Sequence, residues 1–429
     1  MKMQIVSSIL LLASSGAFAA PQVSNVTLSQ ADNRQVIVSY RLTGEPAVVT
    51  VDIQTNGVSI GAEHLTTFAG DVNRLVQPDD SQNKTMTWRP LKNWPEGKTE
   101  RLSDDVTAVV TAWSTNAPPN YMVVSLVAPG EVAYYAEAGA IPGGVTNDLY
   151  KTEYLVLRKC PAANVRWRMG SPSGELGRKD REVPHVVTLK DDFYIGIYPI
   201  TQRQFKCMKF EGKDYNWNPS YYQVDGDLRP VEYVMWTEAR GGTWPVAEGN
   251  ADHTQVGAGS FADLLRKHAG IPSFDLPTDA QWEFACRAGV GTALYSGDEL
   301  DNTTTSGRVD PLGRYANNGG RPGGVNPGTS SGADHATSRV GEYAPNGWGL
   351  YDMVGNVFEW CLDWYQDDVT GSSAETGPAS NLGSGRVCRG GCWQEPASYL
   401  RSAFRSSGPV DGRYNTIGFR MVCGAVVSK

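Results

Sequence analysis

The chain has 429 residues, a formal net charge of −8 and 20% charged residues. A chain of this length is expected to fold into two or three domains. Its acidic balance disfavours a broad phosphate-binding surface, so no nucleic-acid partner is expected.

The N-terminus has the pattern of a signal peptide, predicted over residues 1–20. Lys2 supplies a short positive segment, residues 5–13 are mostly apolar, and Ala17-Phe18-Ala19 has the small residues of a cleavage site. Because Pro21 follows at once, a buried N-terminal helix is the weaker interpretation. No later run reaches the roughly 18 apolar residues of a membrane helix. The chain is therefore expected to be secreted or periplasmic, and its short positive segment favours a bacterial source.

Residues 21–130 have the pattern of an all-β domain. Short runs rich in Val, Thr, Ile and Tyr are separated by turn signals such as Asp-Asn and Asn-Gly. The predicted strands are 23–28, 35–42, 47–55, 85–88, 106–113 and 121–127. Their spacing favours a β-sandwich of immunoglobulin or fibronectin type. The region offers no catalytic motif, and its lone histidine, His64, is more typical of a surface residue than of a ligand. We interpret the domain as a spacer or a binding module.

The composition changes after a Pro- and Gly-rich connection at residues 129–144, and a second domain is predicted over residues 131–429. Nine of the twelve tryptophans fall from Trp167 onward. Helices are predicted at 201–210, 235–240, 260–268 and 278–288, two of them because a threonine precedes a glutamine by three residues. The tract 298–346 is predicted to be surface loop. So much irregular chain needs something besides regular hydrogen-bond ladders to order it, and bound cations are one candidate.

Five segments of this second domain resemble, in order, the formylglycine-generating (sulfatase-modifying) enzyme family, over roughly residues 165 to 423. The segments include Met169-Gly170-Ser171-Pro172, Leu276-Pro277-Thr278-Asp279, Gly349-Leu350-Tyr351-Asp352-Met353-Val354-Gly355-Asn356, Arg389-Gly390-Gly391 and Ile417-Gly418-Phe419-Arg420, and their specificity comes from their order along the chain. The resemblance implies an α+β, C-type-lectin-like fold with much irregular structure and bound calcium. It also implies the oxidation of a sulfatase cysteine to formylglycine, with oxygen and a copper ion held by two cysteines.

The chain departs from the family at the positions of those two cysteines. The first falls four residues after Gly391, at Glu395, and the second falls near Leu400. The segment is also about three residues shorter than the catalytic version, and Cys392 replaces the serine that usually follows the two glycines. A carboxylate and an aliphatic side chain cannot form the thiolate pair that selects Cu(I). No catalytic residue is therefore carried over, and copper is not expected.

Seven cysteines lie in the second half of the chain: Cys160, Cys207, Cys286, Cys361, Cys388, Cys392 and Cys423. An odd number leaves at least one free thiol or an intermolecular bond. Cys388 and Cys392 are interpreted as buried thiols or as disulfide partners, one option being a bond between Cys388 and Cys423. A copper site rebuilt from these thiols is a minor alternative.

The resemblance implies two calcium sites. The second corresponds to the carboxylates of Asp352 and Glu359 with the carbonyls of Gly355 and Val357, since calcium prefers hard oxygen ligands. The first corresponds in part to Asn317 with the Asn318 carbonyl, and Asp334 is its candidate carboxylate. The alternative interpretation is that Asp352 caps a turn and that Glu359 pairs with an arginine.

Three residues are predicted on a ligand-binding face: Trp393, Arg401 and Arg405. Arginines beside aromatic rings suit a carboxylate, sulfate or sugar partner. The alternative is that the tryptophans pack the core and the arginines hold loop carbonyls. The sequence contains no Walker loop, no His-Glu-x-x-His, no Cys-x-x-Cys and no nucleophile elbow.

The sequence leaves three functions open. The first is an exported, non-oxidising member of the family that binds a protein or carbohydrate ligand, with a sulfatase as one candidate partner. The second is a formylglycine-generating oxidase with an altered site, which rests on fold-level analogy. The third is a different enzyme in which Glu395 acts as an acid or base, although no second catalytic group can be named.

Overall fold

The computed structural model describes residues 3–4, 19–30, 35–90, 94, 102, 105–214, 216–242, 255–318, 336–367, 369 and 385–427. The chain forms two compact units. The first contains Met1–Val123, Val132–Asn147 and Ala425–Lys429, and the second contains Val124–Glu131 and Asp148–Gly424. Most of the predicted signal peptide lies outside the described residues, so it stays a prediction.

The first unit is built from antiparallel strands. They are β1 Met3–Gln4, β2 Gln22–Gln30, β3 Val36–Thr43, β4 Ala47–Thr55, β5 Val58–Ser59, β6 Ala69–Gly70, β7 Arg74–Val76, β8 Lys84–Trp88 and β9 Val106–Ser114. The strand β10 Tyr121–Ser125 begins in the first unit and ends in the second, and β11 Val132–Tyr135 belongs to the first. One sheet has the order β1-β2-β3-β8-β6, and in the other β4 pairs with β5, β7 and β9. Short 3₁₀ turns lie at Ala62–His64 and Ala138–Ala140.

The two sheets share one hydrophobic core. Every second residue of β3, from Val36 to Leu42, is buried, as the period-two alternation of a half-buried strand requires. Val49 and Ile53 of β4 and Val106 of β9 belong to the same core cluster. The six strands predicted from the sequence are thus confirmed to within a few residues. The immunoglobulin or fibronectin type stays a prediction.

The strands described in the second unit belong to three small sheets. In the first, β15 Phe193–Gly196 lies between β12 Tyr154–Cys160 and β20 Val422–Gly424, antiparallel to both. The second is a hairpin of β13 Arg166–Met169 and β14 His185–Thr188. The third has the order β18 Arg405–Gly408, β17 Arg386–Arg389, β16 Phe358–Trp364 and β19 Ile417–Gly418, with β19 parallel to β16. Single 3₁₀ turns lie at Asp148–Lys151, Gly226–Leu228, Ala316–Asn318 and Ala397–Tyr399.

All four predicted helices are present; three are shorter than predicted, and the third has the predicted length but is shifted by one residue. They are α1 Gln202–Cys207, α2 Trp236–Ala239, α3 Phe261–Ala269 and α4 Asp279–Arg287. Thr201 and Thr278 cap α1 and α4 and complete the predicted capping boxes with Gln204 and Gln281. Among the described residues, no helix has the length and hydropathy that a membrane crossing requires. The predicted α+β class with much irregular structure is confirmed.

Three tryptophans with almost no exposed surface centre the core of the second unit. Trp236 donates its indole N–H to the carbonyl of Cys361 at 2.9 Å, and Trp360 donates to that of Val234 at 3.0 Å. Trp282 donates to a carboxylate oxygen of Glu359 at 2.7 Å. Because a buried donor without a partner is costly, these bonds fix each ring in one orientation.

The tract 298–346 is not a surface loop throughout, so that prediction is wrong for its described part. Val309, Leu312 and Tyr315 are buried there. The hydroxyl of Tyr315 donates to a carboxylate oxygen of Asp310 at 2.6 Å and accepts from the backbone N–H of Ser306 at 3.2 Å. Buried side chains therefore order chain that has no regular secondary structure.

Candidate functional site

The corner that follows β17 is formed by two glycines in the left-handed region, with φ of 96° at Gly390 and 73° at Gly391. A Cβ atom on Gly391 would lie 2.8 Å from the carbonyl oxygen of Tyr399 and 2.9 Å from a methyl carbon of Leu400. Leu400 is fully buried, and Glu395 is half-buried with its carbonyl accepting from the backbone N–H of Ala316. The backbone conformation of this bend therefore requires glycine, and the side chain of Leu400 packs directly against Gly391.

The donor set at this corner does not fit a copper ion held by thiolates. Leu400 has no donor atom, and the carboxylate of Glu395 is a hard ligand, whereas Cu(I) prefers soft sulfur. No step of a copper-dependent oxidation is therefore derived from these two residues. The expectation that copper is absent stays a prediction.

None of the seven cysteines forms a disulfide, and all except the half-buried Cys207 are buried. The suggested disulfide between Cys388 and Cys423 is therefore wrong, because the two residues lie in strands of different sheets. Burial raises the pKa of the thiols of Cys160, Cys361, Cys388 and Cys423, and it raises that of Cys286 to about 12. Since the thiolate is the metal ligand and the nucleophile, these five side chains are held in the unreactive form.

Glu359 already has a cationic partner. Arg420 donates from Nε and Nη2 to the two carboxylate oxygens of Glu359, at 2.7 and 2.6 Å, and Trp282 provides a further N–H. All three side chains are buried. The carboxylate thus does not fit a calcium ligand, because its charge is neutralised by a two-pronged ion pair. The arrangement is the alternative in which Glu359 pairs with an arginine.

The carboxylate of Asp352 accepts from two groups, and neither is a backbone N–H of its own turn, so the alternative in which it caps a turn stays a prediction. One oxygen of Asp352 accepts from the backbone N–H of Gly341 at 2.6 Å, and the other lies 3.4 Å from the side-chain nitrogen of Asn356. Burial raises its pKa to about 6. Gly355, at φ of 78°, and the buried Val357 lie on the turn that leads into β16. The structure brings these residues together at one turn, and calcium binding there stays a prediction.

Of the residues predicted for the other calcium site, Asn318 already has hydrogen-bond partners, whereas the side-chain oxygen of Asn317 has none among the described residues. The backbone carbonyl of Asn318 accepts from a guanidinium nitrogen of Arg314 at 2.9 Å, and the side-chain oxygen of Asn318 accepts from the backbone N–H of Tyr315. Within the described ranges, the buried side-chain oxygen of Asn317 has no hydrogen-bond partner, so this atom fits a cation ligand. Asp334 lies outside the described residues.

Arg401 and Arg405 do not lie on a ligand-binding face, and that prediction is wrong. Arg401 has no exposed surface and contacts Glu175 and Glu182 at 2.6 Å, and Arg405 contacts Asp279 at 2.8 Å. Arg401 also donates to the carbonyls of Gly177 and Ser398. The arginines hold buried acids and loop carbonyls, because a buried guanidinium needs both charge and hydrogen-bond partners.

A second buried ion cluster was not anticipated from the sequence. The helix α4 carries Asp279 and Glu283 one turn apart, on the same face. Asp279 forms ion pairs with Arg389 and Arg405. Glu283 forms ion pairs with Arg389 and Arg287, both at 2.9 Å. Burial alone would raise the pKa of Asp279, but the two guanidinium groups hold it below its usual range. The available signal in the sequence was the pair of acids four residues apart, which a helix places on one face.

Trp393, the third predicted face residue, is buried beside the corner. Its indole N–H donates to the carbonyl of Asn415 at 3.0 Å, and the ring of Tyr222 packs edge-on against it at 5.4 Å. The backbone N–H of Tyr222 donates to the carboxylate of Glu232 at 2.8 Å. Glu232 is fully buried, and burial raises its pKa to about 7. Glu232 was not identified from the sequence, because a single acid between apolar residues gives no periodic signal.

Known proteins are similar to the C-terminal part of the chain. Residues 161–425 match the family described as the sulfatase-modifying factor enzyme 1-like domain. The chain is 34% identical over 279 residues to the formylglycine-generating enzyme of Streptomyces coelicolor, covering 59% of this chain and 84% of that enzyme. It is 31% identical over 256 residues to the serine/threonine-protein kinase pkn1 of Chlamydia pneumoniae, covering 57% of this chain and 35% of the kinase. The match thus spans about a third of the kinase's length.

Among solved structures, PvdO from Pseudomonas aeruginosa is similar over 63% of this chain and 94% of its own, with a TM-score of 0.48 and 24% sequence identity.

Proposed function

Because the chain belongs to the family of the sulfatase-modifying factor enzyme 1-like domain, we propose that it is an exported, non-oxidising member that binds a ligand. The observation that carries the proposal is the corner after Gly391, where Glu395 and Leu400 occupy the positions that the resemblance assigns to the family's two cysteines. The raised thiol pKa of Cys388, on the strand that enters the corner, supports it further.

An exposed aromatic surface beside Trp393 supports ligand binding. The ring of Tyr221 lies 5.0 Å from that of Tyr222, which packs on Trp393, and 6.2 Å from that of Tyr233. Tyr221 is 65% exposed, and Tyr233 and Tyr414 are also exposed. Tyrosines combine an apolar ring with a hydroxyl, so such a surface suits a protein or carbohydrate ligand. A sulfatase is one candidate partner.

The alternative function is formylglycine generation. It is favoured by the relatives named formylglycine-generating enzyme, which are 34% and 36% identical to this chain in S. coelicolor and Mus musculus. A shared scaffold does not establish a shared reaction, since the chemistry depends on the side chains at the site.

A peptide assay separates the two functions. The purified chain is incubated with copper, oxygen and a peptide that contains Cys-x-Pro-x-Arg, and mass spectrometry is used to detect the aldehyde. We expect no conversion, while a formylglycine-generating relative assayed in parallel converts the peptide. Conversion by this chain would show that it is an oxidase.

Ligand binding is tested on a glycan array and against a purified sulfatase. We expect Tyr221→Ala to abolish the signal of the unchanged chain, because the substitution removes the most exposed ring of the tyrosine surface. Val186→Ala, which shortens an exposed apolar side chain on β14, is the control and should bind normally. Equal binding by both variants would exclude the tyrosine surface.

Export is proposed from the N-terminal pattern of residues 1–20. Expression of the full chain in a bacterium should deliver a periplasmic or secreted product that begins after Ala19 or Ala20. N-terminal sequencing of that product provides the measurement, and an uncleaved cytoplasmic product would contradict the proposal.

A further inference from the structure

A cavity of about 760 Å³ opens in the second unit, lined by residues of the segments 223–229 and 337–342 and by Arg314. Its walls come from chain that is far apart in sequence, and backbone hydrogen bonds join them. Val340 donates its N–H to the carbonyl of Leu228 at 2.8 Å, and Arg314 donates from Nε to the carbonyl of Ala336 at 3.3 Å. The cavity is therefore a formed feature of the fold.

Three buried side chains of this lining have polar atoms without a partner in the described part of the chain. They are Nε and Nη1 of Arg229, Oγ1 of Thr337 and Oγ of Ser338. Arg229 is 8% exposed, Ser338 is 7% exposed and Thr337 is fully buried. An unsatisfied buried donor costs free energy, so three of them on one cavity indicate a ligand that accepts hydrogen bonds.

The charges of the cavity are arranged by depth. Arg229 is buried and Arg314 is half-buried, and burial, followed by the charge of Arg314, lowers the pKa of Arg229. The carboxylates Asp225, Asp227 and Glu342 and the guanidinium of Arg339 belong to exposed residues of the lining. A negative group is therefore favoured inside the cavity, whereas a negatively charged remainder at the opening would meet three carboxylates.

We propose that this cavity binds the carboxylate or sulfate-ester group of a small ligand whose remainder is neutral or cationic. Arg229 and Arg314 supply the positive charge, and the hydroxyl groups of Thr337 and Ser338 donate to the remaining oxygens. The proposal does not depend on whether the corner after Gly391 is catalytic, because it uses none of the residues at that corner.

Isothermal titration calorimetry at low ionic strength tests the proposal with acetate, methyl sulfate and inorganic phosphate as probes. We expect acetate or methyl sulfate to bind, and Arg229→Gln to weaken that binding by about tenfold or more, since the guanidinium provides the main charge. The control Arg308→Gln removes an exposed charge that pairs with Asp298 and does not line the cavity, and it should change the affinity by less than about twofold. Comparing the two monoanions distinguishes a carboxylate from a sulfate ester.

The double substitution Thr337→Val and Ser338→Ala separates binding from folding. It removes two hydroxyl groups that have no partner among the described residues, so the melting temperature should be unchanged or higher while the affinity falls. A lower melting temperature would show that these hydroxyls serve the fold.

Three results would overturn the proposal. They are no binding of either monoanion by the unchanged chain, equal binding by Arg229→Gln, and tighter binding of phosphate than of both monoanions.

Discussion

Glu232 lies at the base of the tyrosine surface and has no exposed surface of its own. One carboxylate oxygen accepts from the backbone of Tyr222, and the other has no partner within the described residues. Burial raises its pKa from the ordinary 4.5 to about 7. The folded chain therefore keeps a proton that the unfolded chain releases between these two values, so the free energy of unfolding falls as the pH rises from about 4.5 to 7.

Glu232→Gln should remove this pH dependence. At pH 8 the variant should be more stable than the unchanged chain by roughly 2 to 3 kcal/mol, because it no longer buries a charge. At pH 4, where the carboxyl group is protonated, the two proteins should have nearly equal stability, which provides an internal control. Urea unfolding at both pH values measures the difference. Equal stability of the two proteins at pH 8 would show that burial does not destabilise the charged carboxylate of Glu232.

Residue identity could be predicted from the sequence more reliably than residue environment. Glu395 and Leu400 were identified at the corner because a motif fixes their distance from Gly391. Arg401 and Arg405 were wrongly placed on a surface, because their partners Glu182 and Asp279 lie 219 and 126 residues away in sequence. No local pattern indicates that such side chains meet.

Among the elements, helices were predicted best, because their signals are local. The capping threonines of α1 and α4 lie within three residues of their partners. Strand pairing in the second unit depends on distant segments, as in the parallel pairing of Phe358 with Ile417. Such pairing has no signal in either strand alone, so the sheet order could not be derived.

The C-terminal ends of α3 and α4 provide a matched pair of substitutions. Both helices end on a residue in the left-handed conformation, Gly270 at φ of 70° and Ala288 at φ of 47°. Because a side chain is disfavoured there, Ala288→Gly should stabilise the protein and Gly270→Ala should destabilise it, each by about 1 kcal/mol. A Cβ atom on Gly270 would contact nothing within 4 Å, so its cost is purely conformational. Thermal unfolding measures both, and the same sign for the two variants would contradict this explanation.

At the scale of the whole second unit, buried arginines join irregular segments for which the sequence had suggested bound cations. Arg420 contacts Glu359 on β16 and donates to the carbonyls of Gly196, at the end of β15, and Tyr351. Arg401 likewise joins Glu175 and Glu182 to its own segment. A guanidinium group has five donors in one plane, so one side chain can hold several loops at once.

Substitutions of Arg420 and Glu359 test whether this ion pair or a bound cation stabilises the turn before β16. Arg420→Met should lower the stability by about 3 to 5 kcal/mol, because it leaves a buried carboxylate without its counter-charge. Adding Glu359→Gln to it should recover part of that loss, since the uncompensated charge is removed. Arg339→Gln, which breaks an exposed pair, should cost less than about 1 kcal/mol.

Chelation completes this test. If the arginine pair neutralises Glu359, addition of EDTA should leave the melting temperature of the unchanged chain as it was, and elemental analysis should find no calcium. A fall of several degrees with EDTA, reversed by added calcium, would show that a bound ion contributes to the folded state by mass action. Loss of that response in Asp352→Asn would then place the ion at the turn before β16. Loss in Asn317→Ala would place it at the other predicted site, where one buried amide oxygen has no partner among the described residues.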